Sequence, residues 1–188
     1  MSTVRNSILA ALLISGAALA TTHAQDEDLF AFIPPGGRTL LGDLIASGKV
    51  SPDQMLSVRR SREEWLGQIQ GLGTGLDTVQ QETLAAYLAA AMPASETGAA
   101  TIDTNGLALP RDGRDLALEY CQSCHIITVV VTQDRTREAW LGTMNKPSHV
   151  EIDTTQAERG VLADYLVLNG GISIEDVPEE LRAGGATY

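Results

Sequence analysis

Residues 121–125 carry the most specific chemistry in this chain, with the sequence Cys-Gln-Ser-Cys-His. Two thiols at this spacing can each form a thioether with one vinyl group of a haem. The adjoining imidazole then lies against the iron as an axial ligand. The motif therefore predicts one covalent haem c, bound through Cys121, Cys124 and His125.

Cys121 and Cys124 are the only cysteines in the chain, and this excludes several kinds of site. A four-cysteine iron–sulfur cluster, a zinc site built on cysteines and a second covalent haem all need more thiolates. A disulfide and a thioredoxin-like redox pair remain as alternatives. The redox pair should open a helix after a strand, whereas the segment from Gly113 to Cys121 has the pattern of a helix running into the motif.

Residues 1–24 have the pattern of a secretory signal peptide. Arg5 precedes an apolar segment from Ile8 to Ala20, and small residues suited to cleavage stand at Ala20 and Ala24. No later segment has the roughly twenty apolar residues that a membrane-spanning helix needs. Because haem is attached to this motif outside the cytoplasm, we expect a periplasmic protein with no transmembrane segment after cleavage.

The formal net charge of −11 indicates which kinds of partner the chain can bind. Nucleic acid is an improbable partner, because phosphate binding requires the opposite sign. An acidic redox protein instead suits a partner that offers a basic docking patch. The same charge would also keep a secreted protein in solution.

Part of the sequence is repeated. Residues 60–67, Arg-Ser-Arg-Glu-Glu-Trp-Leu-Gly, align without gaps with residues 135–142, Arg-Thr-Arg-Glu-Ala-Trp-Leu-Gly. Residues 84–88, Leu-Ala-Ala-Tyr-Leu, correspond to residues 162–166, Leu-Ala-Asp-Tyr-Leu. The repeat predicts a duplicated domain. In place of the haem motif the first copy has residues 46–50, Ala-Ser-Gly-Lys-Val, so we expect it to bind no haem.

The local patterns predict an all-α fold. Ser61 with Glu64, and Thr155 with Glu158, have the spacing of capping boxes that open helices. Apolar stripes at helical spacing follow both, at Leu84, Tyr87, Leu88 and Ala91 and at Val161, Leu162, Tyr165 and Leu166. The short run Thr128–Val131 is expected to be an apolar loop against the haem. We therefore predict two tandem helical domains, 25–93 without haem and 112–188 with haem and a C-terminal tail, joined by a linker over 94–111.

Residues 112–169 resemble the class I c-type cytochromes. In that family a glycine lets the N-terminal helix cross the C-terminal helix closely, and the second helix carries an aromatic residue followed by leucine. Gly113 and the pair Tyr165-Leu166 match this pattern. The resemblance implies a cytochrome c fold for both tandem domains.

A narrower resemblance concerns the Arg-x-Arg-x-x-Trp run at residues 135–140. It is similar to cytochrome c subunits of periplasmic dehydrogenases, such as sulfite dehydrogenases and haem-containing amine dehydrogenases. Two positions depart from these patterns: Pro147 stands where those relatives tend to have methionine, and Ala117 where the wider family has an aromatic residue.

The second axial ligand has two candidates in the sequence. Met144 is the only methionine in the haem half, and a thioether ligand raises the reduction potential. His149 is the alternative, and two imidazoles would give a lower potential. The sequence favours Met144, with His149 second and an open iron third.

The haem propionates need donors or cations. Arg135, Arg137 and the indole N–H of Trp140 are the nearest candidates in the sequence. Because Arg60, Arg62 and Trp65 hold the same places in the copy without haem, packing is the alternative role.

These features predict single-electron transfer without independent enzymatic activity. The principal hypothesis is the electron-accepting subunit of a periplasmic dehydrogenase, which receives electrons from the catalytic subunit and passes them to a downstream acceptor. The alternatives are a haem enzyme or sensor with an open distal iron, and a scaffold in which haem is secondary.

Overall fold

The computed structural model describes residues 29–93, 101–104 and 107–182. The predicted signal peptide, residues 1–24, lies outside this part of the chain. From Phe32 onward the chain forms one compact unit. Regular structure in the described part is helical apart from one short hairpin, as an all-α class predicts.

Four helices form the first half of this unit: α1 Gly37–Ala46, α2 Pro52–Leu56, α3 Arg62–Gly71 and α4 Thr78–Ala91. The capping box predicted at Ser61 and Glu64 is present at the start of α3. Helix α4 begins with a second box, in which Asp77 and Gln80 bond each other's backbone N–H groups. These reciprocal bonds satisfy donors that a helix start leaves free, and so fix where each helix begins.

A two-stranded antiparallel hairpin follows, with β1 Thr101–Thr104 and β2 Leu107–Pro110. The sequence predicted an irregular linker over residues 94–111, so the hairpin is an addition to that expectation. Leu109, at the end of β2, is fully buried in the core of the first half. The connection is therefore packed onto the first half at its second strand.

The second half contains α5 Gly113–Leu116, a π-helical turn Ala117–Cys121, α6 Thr128–Val131, α7 Arg137–Met144, α8 Pro147–Val150 and α9 Gln156–Asn169. Two 3-10 turns, Ile174–Asp176 and Glu179–Leu181, come after α9. The capping box predicted at Thr155 and Glu158 is present at the start of α9.

One local prediction in this half is wrong. Residues 128–131 are not a loop but the one-turn helix α6, because the N–H groups of Val130 and Val131 both bond the Ile127 carbonyl oxygen (2.9 and 3.1 Å). The Thr128 hydroxyl also donates to the carbonyl oxygen of Leu181 (2.6 Å), which ties this turn to the last 3-10 turn.

The first half has a core filled by its own side chains. Trp65, Met55 and Met92 are essentially inaccessible to solvent, at 0, 0 and 1 % exposure. The predicted stripe on α4 is confirmed, because all four of its residues are buried in this core: Leu84, Tyr87, Leu88 and Ala91. Close packing of this kind places these groups in contact with other side chains of the first half.

Each half has one close crossing between its first and last helix. A Cβ atom added to Gly37 would lie 2.2 Å from the Cβ of Tyr87. The same addition to Gly113 would lie 2.1 Å from the Cβ of Tyr165. The glycines are required because no side chain fits between the helices, as the cytochrome resemblance implies for Gly113.

The two halves exchange hydrogen bonds where α4 packs on α9. The Tyr87 hydroxyl donates to the carbonyl oxygen of Pro110 (2.8 Å), which precedes α5. The Tyr165 hydroxyl donates to the carbonyl oxygen of Pro34 (2.6 Å), which precedes α1. Each tyrosine thus bonds the lead-in segment of the other half, so the halves meet through equivalent contacts.

A carboxylate is buried at the same junction. Asp112 caps α5 by accepting from the Asp115 N–H (2.9 Å), and it also accepts from the backbone N–H of Arg38 (2.8 Å). The Arg38 guanidinium forms two 2.6 Å bonds with the Asp115 carboxylate. Burial, together with the negative charge of Asp115, raises the pKa of Asp112 to about 6, because both disfavour its charged form.

Candidate functional site

The Cys-x-x-Cys-His motif forms a single tight turn at the end of the π-helical segment. The N–H groups of Cys124 and His125 both bond the carbonyl oxygen of Cys121, at 3.3 and 2.9 Å. The Gln122 side chain accepts from the Ile127 N–H (2.7 Å) and closes the turn toward α6. The two cysteines and the histidine all line one cavity. The predicted helix that runs into the motif is confirmed.

This cavity has a volume of about 520 Å³. Pockets for cofactors and other small molecules commonly measure roughly 300–1,000 Å³ and have mainly apolar walls. The apolar part of the wall comes from α6, from α9 and from the segment between α8 and α9: Val129, Val130, Ile152, Leu162 and Leu166. The cavity can therefore hold a large, mostly apolar group directly beside the motif.

The thiols do not have the environment of a redox-active pair. Neither Cys121 nor Cys124 is in a disulfide. Burial raises the pKa of Cys121 to about 11, and the neighbouring thiol of Cys124 adds to the rise. Redox-active Cys-x-x-Cys pairs instead depend on a lowered thiol pKa. Since the motif also ends a helix rather than opening one after a strand, the thioredoxin-like alternative is disfavoured.

Both candidates for the second axial ligand line the cavity. Met144 ends α7, and its side chain is partly buried. His149 lies in α8, with its ring centroid 6.4 Å from that of His125 and the two ring planes inclined by 29°. The Nδ1 atom of His149 is 3.0 Å from the Ser148 hydroxyl oxygen.

Arg159 is a residue of the site that sequence reasoning missed. It lines the cavity from α9, and only 5 % of it is exposed. Its guanidinium donates to five oxygens of the segment between α7 and α9: the carbonyl oxygens of Met144, His149 and Val150, and the side-chain oxygens of Asn145 and Thr154. Because a guanidinium has five N–H donors, this set uses its full capacity.

Of the three residues predicted to contact the haem propionates, the structure places two at the cavity and one outside it. Arg135 and Trp140 both line the cavity, with the Arg135 guanidinium 4.8 Å from the Trp140 ring centroid. The indole N–H of Trp140 is buried without a hydrogen-bond partner among the described residues. Arg137 is not part of the cavity wall, and its Nε donates instead to Asp164 (2.6 Å).

The first half contains the same arginine–tryptophan arrangement. The Arg60 guanidinium also lies 4.8 Å from the Trp65 ring centroid, and the Trp65 indole N–H likewise has no partner among the described residues. Packing alone is therefore sufficient to form this pair. What distinguishes Trp140 is that it borders the large cavity.

Within residues 29–93, 101–104 and 107–182, no three His, Cys, Asp or Glu side chains lie together closely enough to hold a metal ion. No helix of that part combines the length and the apolar character needed to cross a bilayer. Comparisons with protein-family models, curated proteins and solved structures gave no match to the chain.

Proposed function

We propose that this protein is a monohaem c-type cytochrome that transfers single electrons. Cys121 and Cys124 would hold the haem through thioethers, and His125 would be its first axial ligand. The observation that carries the proposal is the placement of all three side chains on one largely apolar cavity of about 520 Å³. A cavity with this donor set suits haem better than a bare metal ion, which would need more protein ligands.

The surrounding residues have distinct tasks in this proposal. The cofactor supplies a one-electron couple, ferric to ferrous iron. The apolar side chains of α6 and α9 exclude water, which disfavours the extra positive charge of the ferric state. Arg135 and the Trp140 indole N–H would be donors to the propionates. Arg137 is paired with Asp164 and lies outside the cavity wall, so the proposal gives it no contact with a propionate.

Access for a redox partner would come from the motif side. Ile126, the residue that follows the motif, is 45 % exposed. An exposed apolar residue beside the haem attachment site suits a brief contact with another redox protein. The net charge of −11 favours a basic surface on that partner.

The two halves, as part of the same proposal, are tandem cytochrome c-like domains, of which the first has lost its haem. The matched glycine–tyrosine crossings and the matched arginine–tryptophan pairs support this duplication. In the first half, buried Met55, Trp65 and Met92 fill the core where a cofactor would otherwise contribute apolar surface.

The biological setting of the proposal is a periplasmic electron-transfer chain. The catalytic subunit of a dehydrogenase would be the electron donor, and a second redox protein would be the downstream acceptor. The signal-peptide pattern of residues 1–24 and the similarity of residues 135–140 to dehydrogenase cytochromes support this setting. A haem enzyme or sensor would need an open iron, and the presence of Met144 and His149 on the cavity wall argues against one.

The direct test is expression with an export signal in a host that attaches haem to c-type cytochromes. The wild-type protein should keep its haem on a denaturing gel, and the Cys121→Ala, Cys124→Ala double variant should lose it. Ser123→Ala, in the same turn but without a role in attachment, should retain haem and is the matched control. A wild-type protein without covalent haem, or a double variant that keeps it, would refute the proposal.

A further inference from the structure

The separation between the His125 and His149 rings carries a further inference about the proposed iron site. An imidazole nitrogen binds a first-row metal at about 2 Å and lies about 1 Å from its ring centre, so two imidazoles on opposite sides of one ion have centroids roughly 6 Å apart. The observed separation of the two rings is 6.4 Å. Both rings line the same cavity, so the two imidazoles stand at a separation that would suit a pair of ligands to one iron held there.

The hydrogen bond of His149 is the second observation. Ser148 contacts Nδ1 of the ring, at 3.0 Å, so Nε2 is the nitrogen that could bind a metal. Metal-binding histidines usually donate their other ring N–H to a neighbouring oxygen, which fixes both the tautomer and the ring orientation. When the Nδ1–H group donates to the Ser148 hydroxyl oxygen, Nε2 carries no proton and its lone pair can bind a metal.

Arg159 provides the third observation, because it fixes the backbone on both sides of His149. Its guanidinium bonds the carbonyl oxygens of Met144 (2.6 Å), His149 (3.4 Å) and Val150 (3.5 Å). All five of its donors are used on neutral oxygens of this segment, so none is left for a propionate. In the half without the motif, the capping-box alignment places Gln81 at this position, where its side chain donates to the Leu76 carbonyl oxygen (2.7 Å).

We propose that His149, rather than Met144, is the second axial ligand, and that Arg159 is the positioning residue that holds it there. The inference rests on the proposed haem function. It makes the iron a bis-imidazole site, with a lower reduction potential than a histidine–methionine site would have. Met144 then contributes a backbone carbonyl to the Arg159 network and a side chain to the cavity wall.

Ligand identity can be tested by spectroscopy of the full-length haem protein. The ferric wild type should be low-spin and lack the far-red charge-transfer band that methionine ligation produces. Met144→Leu should keep this spectrum and the wild-type reduction potential. His149→Gly should become high-spin and bind carbon monoxide in the ferrous state, and added imidazole should restore the low-spin spectrum.

The opposite results would overturn the inference. A far-red band in the wild type that disappears in Met144→Leu would assign the position to methionine, and a high-spin wild type would mean an open iron. Either result leaves covalent haem in place, so it is distinguishable from failure of the proposed function, in which no haem would be attached.

The role of Arg159 needs its own variant. Arg159→Gln, which introduces the residue of the other half, should convert a large part of the ferric protein to the high-spin form. Arg137→Gln, on an arginine outside the cavity wall, is the matched control and should remain low-spin. Far-ultraviolet circular dichroism should show unchanged helix content in both variants. A fully low-spin Arg159→Gln protein, or one that has lost its helices, would overturn the positioning role.

Discussion

At the scale of single residues, Trp65 and Trp140 can be compared directly, because their immediate surroundings are alike. Each stacks under an arginine at the same distance, and each has a buried indole N–H without a partner among the described residues. Only Trp140 borders the large cavity, whereas Trp65 is enclosed in the core of the first half. Any difference in their chemistry must therefore come from what occupies the cavity.

We predict that Trp140→Phe lowers the reduction potential, because a propionate that loses its N–H donor presents more negative charge to the iron. Trp65→Phe should leave the potential unchanged and instead reduce the free energy of unfolding by about 1–2 kcal/mol, through lost core contacts. Redox titration and urea unfolding of both variants would measure the two effects. Equal shifts of the potential in the two variants would exclude the propionate contact.

Asp112 gives a prediction about pH. Its pKa is raised from 3.8 to about 6 by burial, so the folded state binds this proton more tightly than the unfolded state does. The stabilisation from the protonated group is complete below about pH 4 and lost as pH rises to about 6, a change on the order of a few kcal/mol.

Comparison of the wild type with Asp112→Asn follows this effect, because the variant removes the buried carboxylate and keeps the rest of the chain. Urea unfolding between pH 4 and pH 8 should show the wild-type free energy of unfolding falling relative to that of the variant as pH rises to about 6. The difference should then stay constant. A difference that rises over this range would contradict the assignment.

At the scale of elements, the helix crossings depend on glycine. Gly37→Ala and Gly113→Ala should each reduce the free energy of unfolding by about 1–3 kcal/mol or more, because a new Cβ would overlap a tyrosine side chain. The controls are Gly67→Ala and Gly142→Ala, at exposed helical positions with nothing within 4 Å of an added Cβ. These controls should be more stable than the wild type by up to about 1 kcal/mol. Chemical unfolding of the four variants would measure these changes, and equal effects at all four positions would contradict the crossing argument.

Elements with a local cause could be predicted from the sequence. The capping boxes at Ser61 and Thr155 involve residues three positions apart, so the spacing alone identifies where α3 and α9 begin. The hairpin between residues 101 and 110 was missed because its two strands are short and most of its surroundings resemble a linker. Helix α6 was missed because four residues, three of them valines, give too little periodicity to predict a helix.

In the site, too, only the residues related by local spacing could be predicted from the sequence. The motif predicted that Cys121, Cys124 and His125 act together, and the three do line one cavity, because residues within one turn stay close. Their attachment to haem stays a prediction. Arg159 could not be identified this way, since its role consists of bonds to carbonyl oxygens up to 15 positions earlier in the chain. Arg137 was predicted at the cofactor but pairs with Asp164 on α9, a partner that only the packing of α7 against α9 provides.

At the scale of the whole molecule, the halves share one buried interface. Tyr87 and Tyr165 bond across it, and the Asn169 side-chain amide donates to the Thr83 hydroxyl oxygen (3.0 Å) within it. Loss of either half would expose this surface and leave its polar groups unpaired. We therefore expect the halves to unfold together.

Two single-tryptophan variants can test this cooperativity. Trp65 fluorescence in Trp140→Phe reports the first half, and Trp140 fluorescence in Trp65→Phe reports the second. In each variant, urea unfolding followed by the fluorescence of the remaining tryptophan should have the same midpoint as unfolding followed by far-ultraviolet circular dichroism. Circular dichroism reports the helices of both halves. A fluorescence transition clearly separated from the loss of helix content would mean that the halves are independent.

The hairpin has a consequence for how electrons would travel. Leu109 lies in the first half's core, and the next residue, Pro110, accepts the Tyr87 hydroxyl bond just before α5 begins. The second half is therefore not carried on a flexible tether, and it has no free arm on which to swing between a donor and an acceptor. In the proposed electron transfer, the whole molecule would have to tumble or diffuse from one partner to the next. Its exchange rates should therefore follow the frequency of encounters, and so depend on ionic strength through the net charge of −11.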